Sequence, residues 1–229
     1  MDALPLPALV ALIAVALIFD LLNGLHDAAN SIATVVATRV LRPQIAIVWA
    51  AFFNFIAFAV FGLHVAQTIG TGIVDAGVVD GSVIFGALIG AIVWNVVTWN
   101  LGIPSSSSHA LIGGLTGAAI AKAGFGSVIY GGLTITALGI VFSPLLGFVL
   151  AQLLVVIVYW INRRAVPFVV DRRFRVLQLF SAAMYSLGHG GNDAQKTMGL
   201  IAVLLFSQGL LGENFYVPLW VVLSCQAAM

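Results

Sequence analysis

The chain has 229 residues, of which 62% are hydrophobic and 7% charged, a formal net charge of +1 and a mean hydropathy of +1.14. Those values exclude an ordinary soluble domain, and the near-neutral charge gives no case for a nucleic-acid partner. The single cysteine, Cys225, permits no internal disulfide.

Stretches free of Asp, Glu, Lys and Arg run over residues 3–19, 43–74, 81–121, 123–162, 176–192, 197–212 and 214–229. A helix needs roughly 20 apolar residues to cross the hydrocarbon, so the two longest stretches each hold two crossings, or one crossing and a hairpin. The pattern predicts an all-α, polytopic helical membrane protein. The first apolar segment lacks the basic leader and small-residue cleavage site of a signal peptide, and is read as a retained span.

Orientation follows from the basic residues. Arg163, Arg164, Arg172, Arg173 and Arg175 face only Asp171, which marks 163–175 as a basic cytoplasmic loop. Arg39 and Arg42 mark a smaller cytoplasmic turn, the acidic connection at Asp75 and Asp80 is external, and the N-terminus lies outside. The absence of targeting features fits the inner membrane of a prokaryote. The sequence leaves open whether the chain forms a homo-oligomer.

Within the apolar segments His26, Asp27 and Asn30 form one polar cluster, and His189, Asn192, Asp193 and Lys196 another. Ionisable groups are costly in a bilayer and are retained mostly along an ion or substrate path. The first cluster follows a segment entered from outside, the second a segment entered from inside. Gly24, Asp27 and Ala28 align with Gly190, Asp193 and Ala194, as inverted repeats with broken helices would produce. The domain reading is therefore a first repeat over 1–162, the basic loop 163–175, and the opening of a second repeat over 176–229.

Pro104-Ser-Ser-Ser-Ser-His109 interrupts the long neutral stretch. Pro104 discourages continuation of the preceding helix, and the serines suit the N-cap of a helix from about Ala110. Such a helix start, with unpaired N–H groups, a positive dipole end and a row of hydroxyls at Ser105, Ser106, Ser107 and Ser108, makes an anion site. Gly86-x-x-x-Gly90 and Gly113-x-x-x-Gly117 let the flanking arms approach closely, giving a re-entrant hairpin near 83–123.

Asp27 and Asn30 lie about one helical turn apart and face one side. Their oxygens suit a cation such as sodium, with carbonyls released where Gly24, Gly190 and Gly191 loosen the helix. Asn192 and Asp193 support the same reading. Lys196 either neutralises Asp193 or offers its charge to an anionic substrate. The histidines lack the spacing of a compact transition-metal motif. Ser108 and His109 are neighbours whose side chains diverge, and no nucleophile-elbow pattern is present, so an enzyme is not expected.

The segments 23–34 (Asn-Gly-Leu-His-Asp-Ala-Ala-Asn-Ser-Ile-Ala-Thr), 104–114 (Pro-Ser-Ser-Ser-Ser-His-Ala-Leu-Ile-Gly-Gly) and 188–199 (Gly-His-Gly-Gly-Asn-Asp-Ala-Gln-Lys-Thr-Met-Gly) resemble signature segments of the PiT inorganic phosphate transporter family. The resemblance implies symport of inorganic phosphate with sodium or protons through two inverted repeats, without a cofactor. It assigns the coupling cation to Asp27, Asn30, Asn192 and Asp193, and phosphate to Ser105–Ser108. It also implies a second Ser/Thr-rich hairpin beyond Met229, so the chain is expected to be C-terminally incomplete. The competing expectations are a sulfate or other oxyanion permease of the same build, and a membrane fragment that transports nothing.

Overall fold

The computed structural model describes residues 4–66, 72–212 and 214–229. The helices are α1 (Leu6–Ala37), α2 (Pro43–Ile56), α3 (Gly81–Leu101), α4 (Ser107–Ala123), α5 (Tyr130–Asn162), α6 (Pro167–Ser207) and α7 (Leu219–Ala228), with 3₁₀ turns at Ala57–Ala59 and Phe125–Ser127. Among the described residues the extended backbone contributes one isolated antiparallel bridge, Val74 with Val128. α1, α3 and α5 are long and apolar enough to cross a membrane by length and composition.

The hairpin is built from its ends inward. Asp80 caps α3, its carboxylate accepting from the N–H groups of Ser82 (3.1 Å) and Val83 (3.0 Å). Gly102 closes α3 in the left-handed region, with φ 65°, a conformation that costs glycine little. Ser106 then caps α4. α3 and α4 pack side by side, and Asp80 and Lys122 join their far ends at 2.6 Å. The close approach uses a different register from the one expected. Gly86 meets Ala118 and Gly90 meets Gly114, whereas Gly113 and Gly117 have nothing within 4 Å of a built Cβ. A Cβ at Gly114 would strike the backbone of Ala87, so glycine at that one position sets the spacing of the arms.

Two further expectations are corrected. α1 runs unbroken through Gly24, and α6 runs unbroken through Gly190 and Gly191; no helix opens there to release carbonyls. Gly190 instead lets α6 approach α2, since a Cβ on it would strike the backbone of Asn54. The Gly190 and Gly191 carbonyls also accept from Gln226 Nε2 (3.3 Å) and Gln195 Nε2 (2.5 Å). The stretch 163–175 is a loop only as far as Val166. Pro167 occupies the first turn of α6, where its missing N–H costs no bond, and Asp171 pairs with Arg175 one turn on at 2.9 Å.

The core gathers Phe19 of α1, Leu88 of α3, Leu111 and Leu115 of α4, Met198, Ile201 and Leu204 of α6, and Val221 of α7. None of the 33 residues of α5 is buried.

Candidate functional site

On α1, Asp20, Asn23, Asp27 and Asn30 follow one another at the spacing of a single helical stripe; on α6, His189, Asp193 and Lys196 do the same. α1 packs against α6, and the two stripes meet at the serine tip of the hairpin.

Asp193 is the centre of the arrangement. Its Oδ1 lies 3.2 Å from Lys196 Nζ and its Oδ2 3.3 Å from His189 Nε2, while Asn23 Nδ2 donates to Oδ2 at 3.5 Å. Lys196, 2% exposed, donates to Ser107 Oγ at 3.1 Å and Ser108 Oγ at 2.8 Å. Ser107 in turn donates to Asn23 Oδ1. A buried ammonium is tolerable only when paired and hydrogen-bonded, and this one has a carboxylate and two hydroxyls. Lys196 therefore pairs with Asp193 and also reaches two serine hydroxyls at the hairpin tip.

The four serines divide. Ser107 and Ser108 turn toward Lys196. Ser105 accepts from Trp94 Nε1 at 3.0 Å, and Ser106 is committed to capping, accepting from the His109 N–H at 3.4 Å. Ser105 and Ser106 line a separate cleft with Trp94, His109 and Gly114. The cleft beside Lys196, about 300 Å³, is lined also by Ser108, Asn192, Asp193, Thr136 and His64.

The expected cation residues also divide. Asp27 lies 3.7 Å from His189 Nε2, and Asn30 Nδ2 donates to Asp27 Oδ1 at 3.3 Å. One ligand atom each from Asp27, His189 and Asp193 falls within 4.8 Å of the others. Two carboxylates with an amide one turn away are donors suited to a small hard cation. Asn192 is turned aside: it is exposed and its Nδ2 donates to the Gly188 carbonyl at 2.8 Å. His26 lies instead in a pocket with Leu22, Asn95 and Trp99.

Asn23 and Asp20 were not singled out by the sequence reading. Both are fully buried, and their signal was the spacing of four and seven residues, respectively, ahead of Asp27 on an otherwise apolar helix.

Comparison with known proteins gives this arrangement a context. The model of the phosphate transporter family matches residues 23–229. A probable low-affinity inorganic phosphate transporter of Rhizobium meliloti (strain 1021) is 71% identical over 100% of this chain and 69% of the relative. A similarly described protein of Bacillus subtilis (strain 168) is 43% identical over 93% of this chain and 65% of the relative. One from Mycobacterium tuberculosis (strain ATCC 25618 / H37Rv) is 42% identical over 96% and 53%. The chain thus spans between about half and about two thirds of the length of these relatives. A solved structure described as the sodium-dependent phosphate transporter superposes with a TM-score of 0.76 over 97% of this chain and 74% of that chain, at 23% identity, and shows the shared helical fold. The relatives are described as transporters rather than enzymes, and the apolar helices make the chain an integral membrane protein. With the match extending over residues 23–229, the chain belongs to the phosphate transporter family.

Proposed function

We propose that the protein binds inorganic phosphate where Ser107, Ser108 and Lys196 meet the N-terminus of α4, and carries it across the membrane together with a cation. The observation that carries this reading is the position of Lys196 Nζ, 2.8 Å and 3.1 Å from two serine hydroxyls at a helix start inside the apolar body of the chain. The Ser108 hydroxyl, the Lys196 ammonium and the positive end of a helix act together on an oxyanion, while Ser107, whose O–H goes to Asn23, holds the ammonium in place. Ser105 and Ser106 shape the tip and do not hold the ligand.

The cation, sodium or a proton, belongs in this reading to Asp27 and Asp193, with Asn30 supporting Asp27. Phosphate and the cation then each favour binding of the other, because opposite charges are brought close in a medium of low dielectric. Phosphate near neutral pH retains a proton that the Asp193 carboxylate accepts as a hydrogen bond, whereas fully ionised sulfate is repelled. Rocking of two inverted repeats about the site, α1 belonging to one and α6 to the other, would open it to each side in turn.

The test is uptake of radiolabelled phosphate into vesicles holding the protein, with and without sodium and a pH gradient. Lys196→Met and Ser107→Ala are expected to abolish or strongly reduce uptake, and excess sulfate to compete poorly. Uptake unchanged in both variants removes the site assignment, and full competition by sulfate removes the phosphate selectivity.

A further inference from the structure

Asp20 has no role in the site just described. It is fully buried in α1, seven residues before Asp27, and neither carboxyl oxygen has a hydrogen-bond partner among the described residues. Its carboxyl faces the hydroxyl of Thr197 on α6 and the thiol of Cys225 on α7. Both side chains are also fully buried, and the Thr197 hydroxyl too lacks a partner among the described residues. An ionised carboxylate left in such a place loses its hydration and gains little in return. A neutral carboxylic acid fits, because its O–H can donate to Thr197.

We propose that Asp20 is a proton-binding site of the transport cycle, distinct from the Asp27–Asp193 pair. The proposal rests on the reading of the chain as a phosphate carrier and names one of the ions it moves. Sodium is the poorer occupant. A thiol is a soft ligand for a hard ion, and α1 runs unbroken past Asp20, so the surrounding carbonyls stay committed to helix bonds.

The charged groups that bear on Asp20 come from α6: Lys196, beside Thr197 in the sequence, and Asp193. Cys225 is the titratable group on α7, and α2 and α3, which also pack on α1, contribute no charged side chain over residues 43–56 and 81–101. This placement supplies the coupling. With Asp20 neutral, the ammonium of Lys196 stays with Ser107, Ser108 and an incoming phosphate. With Asp20 ionised, the ammonium is drawn toward it and away from the serines, which weakens phosphate binding; with Asp20 neutral, phosphate binds and leaves by its own equilibrium, so exchange needs no ionisation. The proton enters as the O–H of Asp20 on one side and leaves to water on the other; no other bond forms or breaks. Asn23, one turn along α1, joins Ser107 and Asp193 and brings this buried carboxyl within one polar step of the cleft.

The experiment has two readouts on the protein in vesicles. Infrared difference spectra are recorded for the protonated carboxyl stretch of the wild type, Asp20→Asn and Asp20→Glu in H2O and D2O. Phosphate accumulation driven by a pH gradient is compared with phosphate exchange at equal pH. The expected result is a D2O-sensitive carboxyl band in the wild type that disappears in Asp20→Asn. That variant should lose gradient-driven accumulation while retaining exchange, and Asp20→Glu should restore both band and accumulation. A band unchanged in Asp20→Asn, or one removed by sodium at constant pH, overturns the proposal. Absence of phosphate uptake in every form would sink the phosphate reading, while the infrared band would still decide the state of Asp20.

Discussion

Asp27 of α1 and Asp193 of α6 converge on a single imidazole nitrogen: His189 Nε2 lies 3.7 Å from an oxygen of the first and 3.3 Å from an oxygen of the second. Two carboxylates this close repel unless something positive stands between them. His189→Ala is therefore expected to destabilise the protein, and Asp27→Asn in the same background to recover part of the loss. The coupling in such a double-mutant cycle should be about 0.5–3 kcal/mol, read from thermal unfolding in detergent. A cycle that closes to zero would show that the imidazole does not join the two.

Lys196→Met breaks a buried ion pair by removing one partner, which typically costs about 3–5 kcal/mol. Asp193 keeps some exposure, with its side chain 18% accessible, so the low end is expected. Adding Asp193→Asn should recover stability without recovering phosphate uptake, which separates the structural part of the lysine from its proposed part in binding.

The division of the serines gives a contrast within four adjacent residues. Ser107→Ala and Ser108→Ala are expected to weaken phosphate uptake, each by removing a hydroxyl that accepts from Lys196. Ser105→Ala should leave uptake near the wild-type level and instead shift the fluorescence of Trp94, whose indole N–H loses its acceptor. Equal losses at all three positions would count against the division.

At the far end of the hairpin, burial presses the Asp80 carboxyl upward, but the hydrogen bonds from Lys122, Ser82 and Val83 outweigh it and hold its pKa at about 2. A depressed carboxylate stabilises the fold above its ordinary pKa of 3.8 and loses that contribution as the pH falls through about 2. Hydrogen exchange at the start of α3 should therefore be insensitive to this group between pH 7 and 5. Lys122→Met, which removes only a partly exposed pair, should cost less than about 1 kcal/mol. Asp80→Ala removes the cap as well and should cost about 0.5–2 kcal/mol.

Glycines along α6 should respond in opposite ways. Gly190→Ala drives a Cβ into the backbone of Asn54, and overpacking of this kind costs about 1–3 kcal/mol. Gly188→Ala meets nothing within 4 Å and should stabilise the helix by up to about 1 kcal/mol. Unfolding midpoints of the two variants check this directly.

The helical fold and the hairpin were legible in the sequence because each rests on a local signal, whereas the meeting of Asp27 and Asp193 at His189 was not. Pro104 and the serines mark a helix end and a helix start, and a carboxylate amid apolar residues needs a partner wherever it lies. The outcome at Gly24, Gly190 and Gly191 was not legible. Glycine permits a break and a close helix contact equally, and only the presence of Asn54 opposite Gly190 decides between them. Likewise the spacing of Gly113 and Gly117 matched a packing motif, yet the arms turn so that Gly114 faces Ala87, a rotation of one residue that sequence alone does not specify. The parting of Ser105 from Ser107 has the same origin, since both are hydroxyls and only the path into α4 aims them. Asp20 went unread because its partners Thr197 and Cys225 lie on distant segments.

The hairpin has its tie at one end and its serines at the other. α3 is 21 residues long, which makes an arm of about 32 Å. At that length a tilt of only about two degrees about the Asp80–Lys122 end displaces the serine tip by about 1 Å. A partly exposed ion pair at the base thus bears on the aim of residues it never touches.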